Sequence, residues 1–421
     1  MNDFGGAGRA RTDVEVISLM GFAHGTSHFF HLMLPSLFPW LMREFALNFT
    51  RAGSLTAAFF VASGIGQALA GFVVDRVGAQ RVLWAGIALF SVAGVVLGSA
   101  NSYGMLLAAA VLAGTGNSVF HPADFTTLNH RVSAPRLGHA FSVHSLSGNL
   151  GWAAGPVFMT GVAAASNWRV AAFAAAGVAL ITLTVLFARR DVLANTATGH
   201  PREVTHGAAL SGSVFGFLGV GAVWMCFLFF LVTMLAFGAL QNFAPAVLQR
   251  VYGVSLAVAT SALTVYLLGG AAGVVLGGFL AARSGAHDRV IAISLVFAAL
   301  TALGVASGGI PPWSVGAFFA IIGFCTGMAS PSRDLLVRKA AMERFGPQSF
   351  GRIYGFVYSG LDVGLATAPL VFGRMMDKGM FSAVLGGVAL LQGIGIAAAL
   401  KVGQQRPKER YVLKPLPPKS D

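Results

Sequence analysis

Twelve apolar stretches of membrane-crossing length run through the chain, at roughly 14–40, 52–74, 80–100, 104–128, 138–164, 168–188, 213–243, 255–282, 289–309, 313–336, 351–374 and 380–402. A helix needs about 20 apolar residues to cross the hydrocarbon core. In lipid its backbone groups must also be bonded within the segment. This pattern restricts the chain to an all-α membrane protein of twelve transmembrane helices. Composition excludes a water-soluble fold: 56% of the 421 residues are hydrophobic and only 10% charged, against about 25% charged in a soluble domain. The 54 glycines suit close helix approach. Cys226 and Cys325 fall inside apolar spans and read as inert packing residues.

The net charge of +13 could suggest nucleic acid, but its distribution argues for topology. With the N-terminus in the cytoplasm, Arg76, Arg81, Arg131, Arg136, Arg189, Arg190 and the basic tail share the inner side. Arg43, Arg51, Arg169, Arg250, Arg374 and Lys378 fall outside. The positive-inside rule therefore predicts both termini in the cytoplasm of a bacterial inner membrane protein. The first span is too long for a cleaved leader, holds three histidines and two prolines, and lacks a clear cleavage site.

The halves echo each other. Gly71, Arg76 and Gly78 recur as Gly278, Arg283 and Gly285; Gly114 and Pro122 as Gly323 and Pro331; Gly138, Gly151 and Pro156 as Gly351, Gly364 and Pro369. Two six-helix pseudo-repeats are expected: a bundle at 1–188, a cytoplasmic linker at 189–212, a second bundle at 213–403 and a basic tail at 404–421. A site between two repeats is a transporter plan. The echo fails where Asp75 aligns with Ala282 and Asp124 with Arg333.

The turn after the second span carries Gly71, Asp75, Arg76, Gly78 and Arg81. Read blandly, it is an ordinary basic loop. With the twelve spans and the repeat, it resembles the cytoplasmic signature of the major facilitator superfamily. That resemblance implies the major facilitator fold. It also implies a gate in which Asp75 meets the start of the eleventh span near Gly351–Tyr354, where free N–H groups attract negative charge. In that family the fifth and eighth spans meet across the halves. The glycine rows Gly148-Gly151-Gly155 and Gly269-Gly273-Gly277 would serve that contact. The first half is similar to fosmidomycin-resistance exporters at Ser27-His28-Phe29, Glu44-Phe45, Gly114-Thr115-Gly116, Ser118-Val119-Phe120-His121-Pro122 and Gly148-Asn149. The fourth-span arginine linked to proton coupling in many members is absent, since that region reads Ala110-Val111-Leu112.

His24, His28 and His31 share one stripe of the first span. They could carry protons, bind an anion when protonated, ligate a transition metal, or simply bond to neighbouring helices. His121 and Asp124, three apart, could form a proton relay, with Asn117 on the same face. In the fifth span His144 shares the glycine stripe, read as a packing face, while Ser145, Asn149 and Trp152 share a second stripe that could line a cavity. Arg333 could grip a carboxylate or phosphonate. Asp362, which shares a face with Tyr358, must be paired, protonated or wet. No phosphate-cradling loop, His-Glu-x-x-His pair or nucleophile elbow is present. The expected function is secondary transport, without cofactor, of a small anionic organic solute or drug. It would be proton-coupled and use alternating access, with export favoured over uptake and the chain a monomer. The alternatives are a transition-metal or metal-chelate carrier using the histidines of the first span, and a receptor or scaffold that moves nothing.

Overall fold

A computed structural model describes residues 4–193, 219, 221–345 and 350–404. The side chains at 4–10, 337–345 and 350–355 and of Ala134, Ala222, Asp334, Tyr358 and Gln404 lie outside that description. The fold is all-helical. The first half comprises α1 (Phe4–His31), α2 (Met33–Glu44), α3 (Phe49–Val77), α4 (Ala79–Gly98), α5 (Tyr103–Asn117), α6 (Phe120–Arg131), α7 (Leu137–Ala165), α8 (Trp168–Ala188) and the short α9 (Arg190–Leu193). The second comprises α10 (Gly221–Tyr252), α11 (Leu256–Arg283), α12 (His287–Ala306), α13 (Val315–Phe345), α14 (Phe350–Asp377) and α15 (Phe381–Gln404). Among the described residues nine helical spans, α5 and α6 counted together as one, are long and apolar enough to cross a membrane. The remaining long helices, α1, α7 and α14, carry histidines, Asn149 or Asp362.

Two expected spans are broken. The first divides at Leu32 into α1 and α2, and the fourth divides after Asn117 into α5 and α6. Each break leaves a proline, Pro35 or Pro122, in the first turn of the new helix. There its missing N–H has no intrahelical partner to lose.

Packing repeats between the halves. α1 packs on α7, α3 on α5 and α4 on α8; α10 packs on α14, α11 on α13 and α12 on α15. The spaced glycines mark the same crossings twice. A Cβ on Gly114 would strike the Phe59 carbonyl oxygen, and one on Gly323 the Tyr266 carbonyl oxygen. Likewise Gly151 lies against Gly25, and Gly364 against Leu231. This corrects one expectation. α7 and α11 do meet across the halves, but the Gly148-Gly151-Gly155 row faces α1 and the Gly269-Gly273-Gly277 row faces α13. Both rows serve close crossings inside a half, where helix backbones touch.

The two ends differ. At the end bearing Arg76, Arg131 and Arg189, here the basic end, Asp13 is buried. It accepts from Ser133 Oγ (2.5 Å), the Ser133 amide (3.2 Å) and Arg136 Nη1 (2.9 Å). Burial alone would push the Asp13 carboxyl up, but the Ser133 and Arg136 bonds outweigh it and hold it below the usual carboxylate range. Because the folded value is depressed, this contribution to stability is present above about pH 4 and is lost as pH falls through the folded value. Melting curves from pH 6 to pH 3 should therefore show wild type losing more than Asp13→Asn, with the two converging in acid.

At the opposite, far end, four helix starts are closed by side chains: Asn48 caps Arg51, Ser102 caps Met105, Asn167 caps Val170 and Ser255 caps Val258. The first of these ties the halves together. Asp377, ending α14, accepts from the Phe49 amide (2.6 Å), the Thr50 amide (3.0 Å) and Thr50 Oγ1 (2.5 Å). With Asn48 on the Arg51 amide, three otherwise orphaned donors of the α3 start are satisfied. Removing such a cap costs about 1 kcal/mol, towards the low end at an exposed site. Asp377→Ala should therefore raise far-end opening several-fold, read as longer distances between spin labels at Arg51 and Lys378.

Candidate functional site

The α3–α14 seam runs inward from that contact. An added Cβ on Gly53 would lie 2.5 Å from the Pro369 carbonyl oxygen, and one on Gly64 would lie 3.4 Å from Asp362 Cβ. Further along, no described residue lies within 4 Å of a Cβ added at Gly71, and Asp75 is exposed. A cavity of about 380 Å³ lies here, lined by Gln67, Gly71, Val74, Asp75, His121, Pro122, Phe125 and Thr126. The expected partner of Asp75, Gly351–Tyr354, lies outside the described side chains. Gly78, the single residue between α3 and α4, sits at φ +93°. That conformation favours glycine and accounts for this position of the signature. Arg76 and Arg81 are exposed at the same end.

Beyond His121 a column of polar side chains fills the first half. Asp124 is fully buried, its Oδ2 3.0 Å from His144 Nε2 and 3.4 Å from His24 Nδ1. His24 stacks on His144 with centroids 3.5 Å apart and lies 4.3 Å from His28. His28 stacks on His31 (4.8 Å) and on Trp152 (4.2 Å). Gly148 makes room for this: a Cβ there would lie 2.7 Å from His28 Nδ1 and 3.0 Å from His24 Nε2.

The far end of the column is fully bonded. Trp152 Nε1, which can only donate, gives a hydrogen bond to His31 Nδ1 (3.1 Å). His31 is thereby fixed as the tautomer with hydrogen on Nε2, which donates to Asn117 Oδ1 (2.9 Å). Ser27 Oγ donates to the same oxygen (2.5 Å), and Asn117 Nδ2 donates to Ser63 (2.8 Å). Trp152 also stands 4.9 Å from Phe237 of α10, so the column reaches the boundary between the halves.

Several expected residues meet here, and some pair differently. Asp124 bonds His144 rather than forming a closed pair with His121. The three first-span histidines do lie together, but among the described residues the nitrogens near enough to share one ion belong to His24, His121 and His144. Asn149 donates back to Ser145 of its own helix (2.9 Å). The Arg333 guanidinium lies 4.5 Å over the Phe230 ring. Tyr358 is outside the described side chains. Sequence reasoning took His144 as part of a glycine stripe used for packing, placed Trp152 on a stripe that could line a cavity, and gave Ser27 and Ser63 no part in the site. The available signal was that His144 shares its stripe with Gly148, the position that the first-span imidazoles need vacant.

Two like helical halves, joined at one end by Asp377 and holding buried polar groups, define a membrane carrier. The Major Facilitator Superfamily profile matches residues 18–341 and 226–419. The chain belongs to that superfamily and is a multi-pass membrane transporter, not an enzyme. It is 26% identical over 366 residues to the fosmidomycin resistance protein of Escherichia coli (strain K12), covering 86% of this chain and 87% of that one. It is 25% identical to the uncharacterized MFS-type transporter YfnC of Bacillus subtilis (strain 168), covering 94% and 95%. Its fold is similar to the crystal structure of a bacterial homologue of the human lysosomal transporter Spinster in an inward-facing and unoccupied conformation. The TM-score is 0.71 at 14% identity, with 93% and 95% coverage.

Proposed function

We propose that this chain is a proton-coupled carrier that exports a small anionic organic solute or drug across the bacterial cytoplasmic membrane by alternating access. The basic end faces the cytoplasm, the bundles 1–188 and 213–403 rock about the seam, and each chain works as a monomer. The observation that carries the reading is the seam itself: it is packed from Asp377 to Asp362, and among the described residues nothing would meet a Cβ added at Gly71. The place of Gly71 in the signature fits a second state in which the basic end closes and Asp75 approaches α14.

Asp362 lies on the moving boundary, which suits a coupling acid. Asp124 is sealed among residues of one half, where rocking alters little. His28, His31, Asn117 and Trp152 would form one wall of the solute site, and Arg333 would supply positive charge from the other half. Export is supported by the likeness, over 86% of this chain, to the relative named for fosmidomycin resistance. Proteoliposomes of the full chain, tested with fosmidomycin and simple carboxylates, should show flux that rises with a pH gradient and moves protons in the opposite direction. A probe that raises the melting temperature, yet is never moved under any gradient, would overturn this reading in favour of a receptor.

A further inference from the structure

We propose that His24, His121 and His144 form a resident site for one divalent transition-metal ion of the zinc, cobalt or nickel class, with Asp124 as the neighbouring carboxylate. One ring nitrogen from each histidine lies within 4.8 Å of the others. The three come from α1, α6 and α7, so the site braces the first half at its basic end.

Two further observations point to a cation. Asp124 Oδ1 and His24 Nδ1 are buried without a hydrogen-bond partner among the described residues. Buried polar atoms are almost always satisfied, and the single His144–Asp124 bond leaves both of these bare. The spacing also fits. Metal–nitrogen bonds of about 2.0–2.1 Å place tetrahedral donors about 3.3 Å apart. Asp124 Oδ2 is already 3.0 Å from His144 Nε2 and 3.4 Å from His24 Nδ1. The wider separations must shrink as His121 swings in, and His121 is the exposed member of the triad, standing in the cavity wall.

Three imidazoles and a carboxylate favour zinc, cobalt or nickel over magnesium or calcium. The cavity past exposed Asp75 and Gln67 supplies an access route with an attractive charge at its mouth. The ion is not the carried solute, because all its ligands belong to one half.

The test uses the full chain with any affinity tag removed, stripped by chelator and titrated with cobalt, zinc, nickel and magnesium chlorides. One cobalt per chain should bind, with the strong visible bands of a tetrahedral site, and zinc should displace it. The melting temperature should rise with the three transition ions and not with magnesium. His121→Ala, at an exposed position and so expected to fold, should lose the cobalt bands and weaken binding at least tenfold. His144→Ala should do the same. His139→Ala, which removes an exposed imidazole elsewhere on α7, should change nothing. Absence of stoichiometric binding by wild type would overturn the proposal. So would binding undiminished in His121→Ala, or lost equally in His139→Ala.

Discussion

Asp362→Asn is expected to abolish the acceleration of flux by a pH gradient while leaving solute exchange at zero gradient in place. Asp362 sits on α14, with Gly64 of α3 pressed against its Cβ. Among the described side chains, the facing stretches of α3 (60–67) and α10 (227–238) carry no titratable group and α13 offers Cys325 and Arg333; Asp334 and Tyr358 lie outside that description. Closing the seam over an ionised carboxylate costs about 2.5–3.5 kcal/mol on an insertion scale, roughly a hundredfold bias between conformations. The closed seam therefore favours bound proton, and parting it favours release. On the proposed function, protonation and rocking would be linked in this way. Asparagine keeps the shape and never ionises. The measurement is flux in proteoliposomes as internal pH is stepped at constant external pH. A slope equal to wild type would exclude Asp362 as the coupling acid without touching the metal proposal, which is read by cobalt binding.

The second large effect is structural. Gly151→Val should leave little folded protein in the membrane, because α1 and α7 cross backbone to backbone at Gly25 and Gly151. A Cβ on Gly151 would overlap the Gly25 carbonyl oxygen. Carbonyls of packed helices cannot swing aside as a side chain can, so the helices must separate, at a cost of 1–3 kcal/mol or more. Separation would also pull His24 and His28 from Gly148 and Trp152. A graded series makes the expectation specific. Gly151→Ala should damage folding most. Gly25→Ala, whose Cβ would lie 3.1 Å from the Ser147 carbonyl oxygen, should be intermediate. Gly161→Ala, with nothing within 4 Å, should be neutral. Melting temperature and the monodisperse yield after extraction check the order. Equal behaviour of all three would contradict the crossing.

Much of this architecture was legible beforehand. The spans could be read because exclusion of unsatisfied backbone from lipid acts locally on composition. The repeat could be read because the same crossings need small residues at the same places, as Gly114 and Gly323 show. The breaks at Leu32 and after Asn117 were not foreseen, although Pro35 and Pro122 were in view: a proline may kink a helix or begin one, and neighbours choose. Asp377 was missed for a related reason. On its own it is one more acid at a helix end, and its meaning depends on the α3 start lying beside it.

The sequence by itself determined a helical membrane protein of two related halves, with a charged signature turn and a stripe of histidines along the first span. Helix periodicity places side chains on a face but says nothing about which helix that face will meet. Only the tertiary structure decided that His24 meets His144 and Asp124, that Trp152 sets the tautomer of His31, and that Asp362 lies on the seam. Those choices follow from where glycine lets two backbones touch, which sets the rotation and depth of each helix against its neighbour.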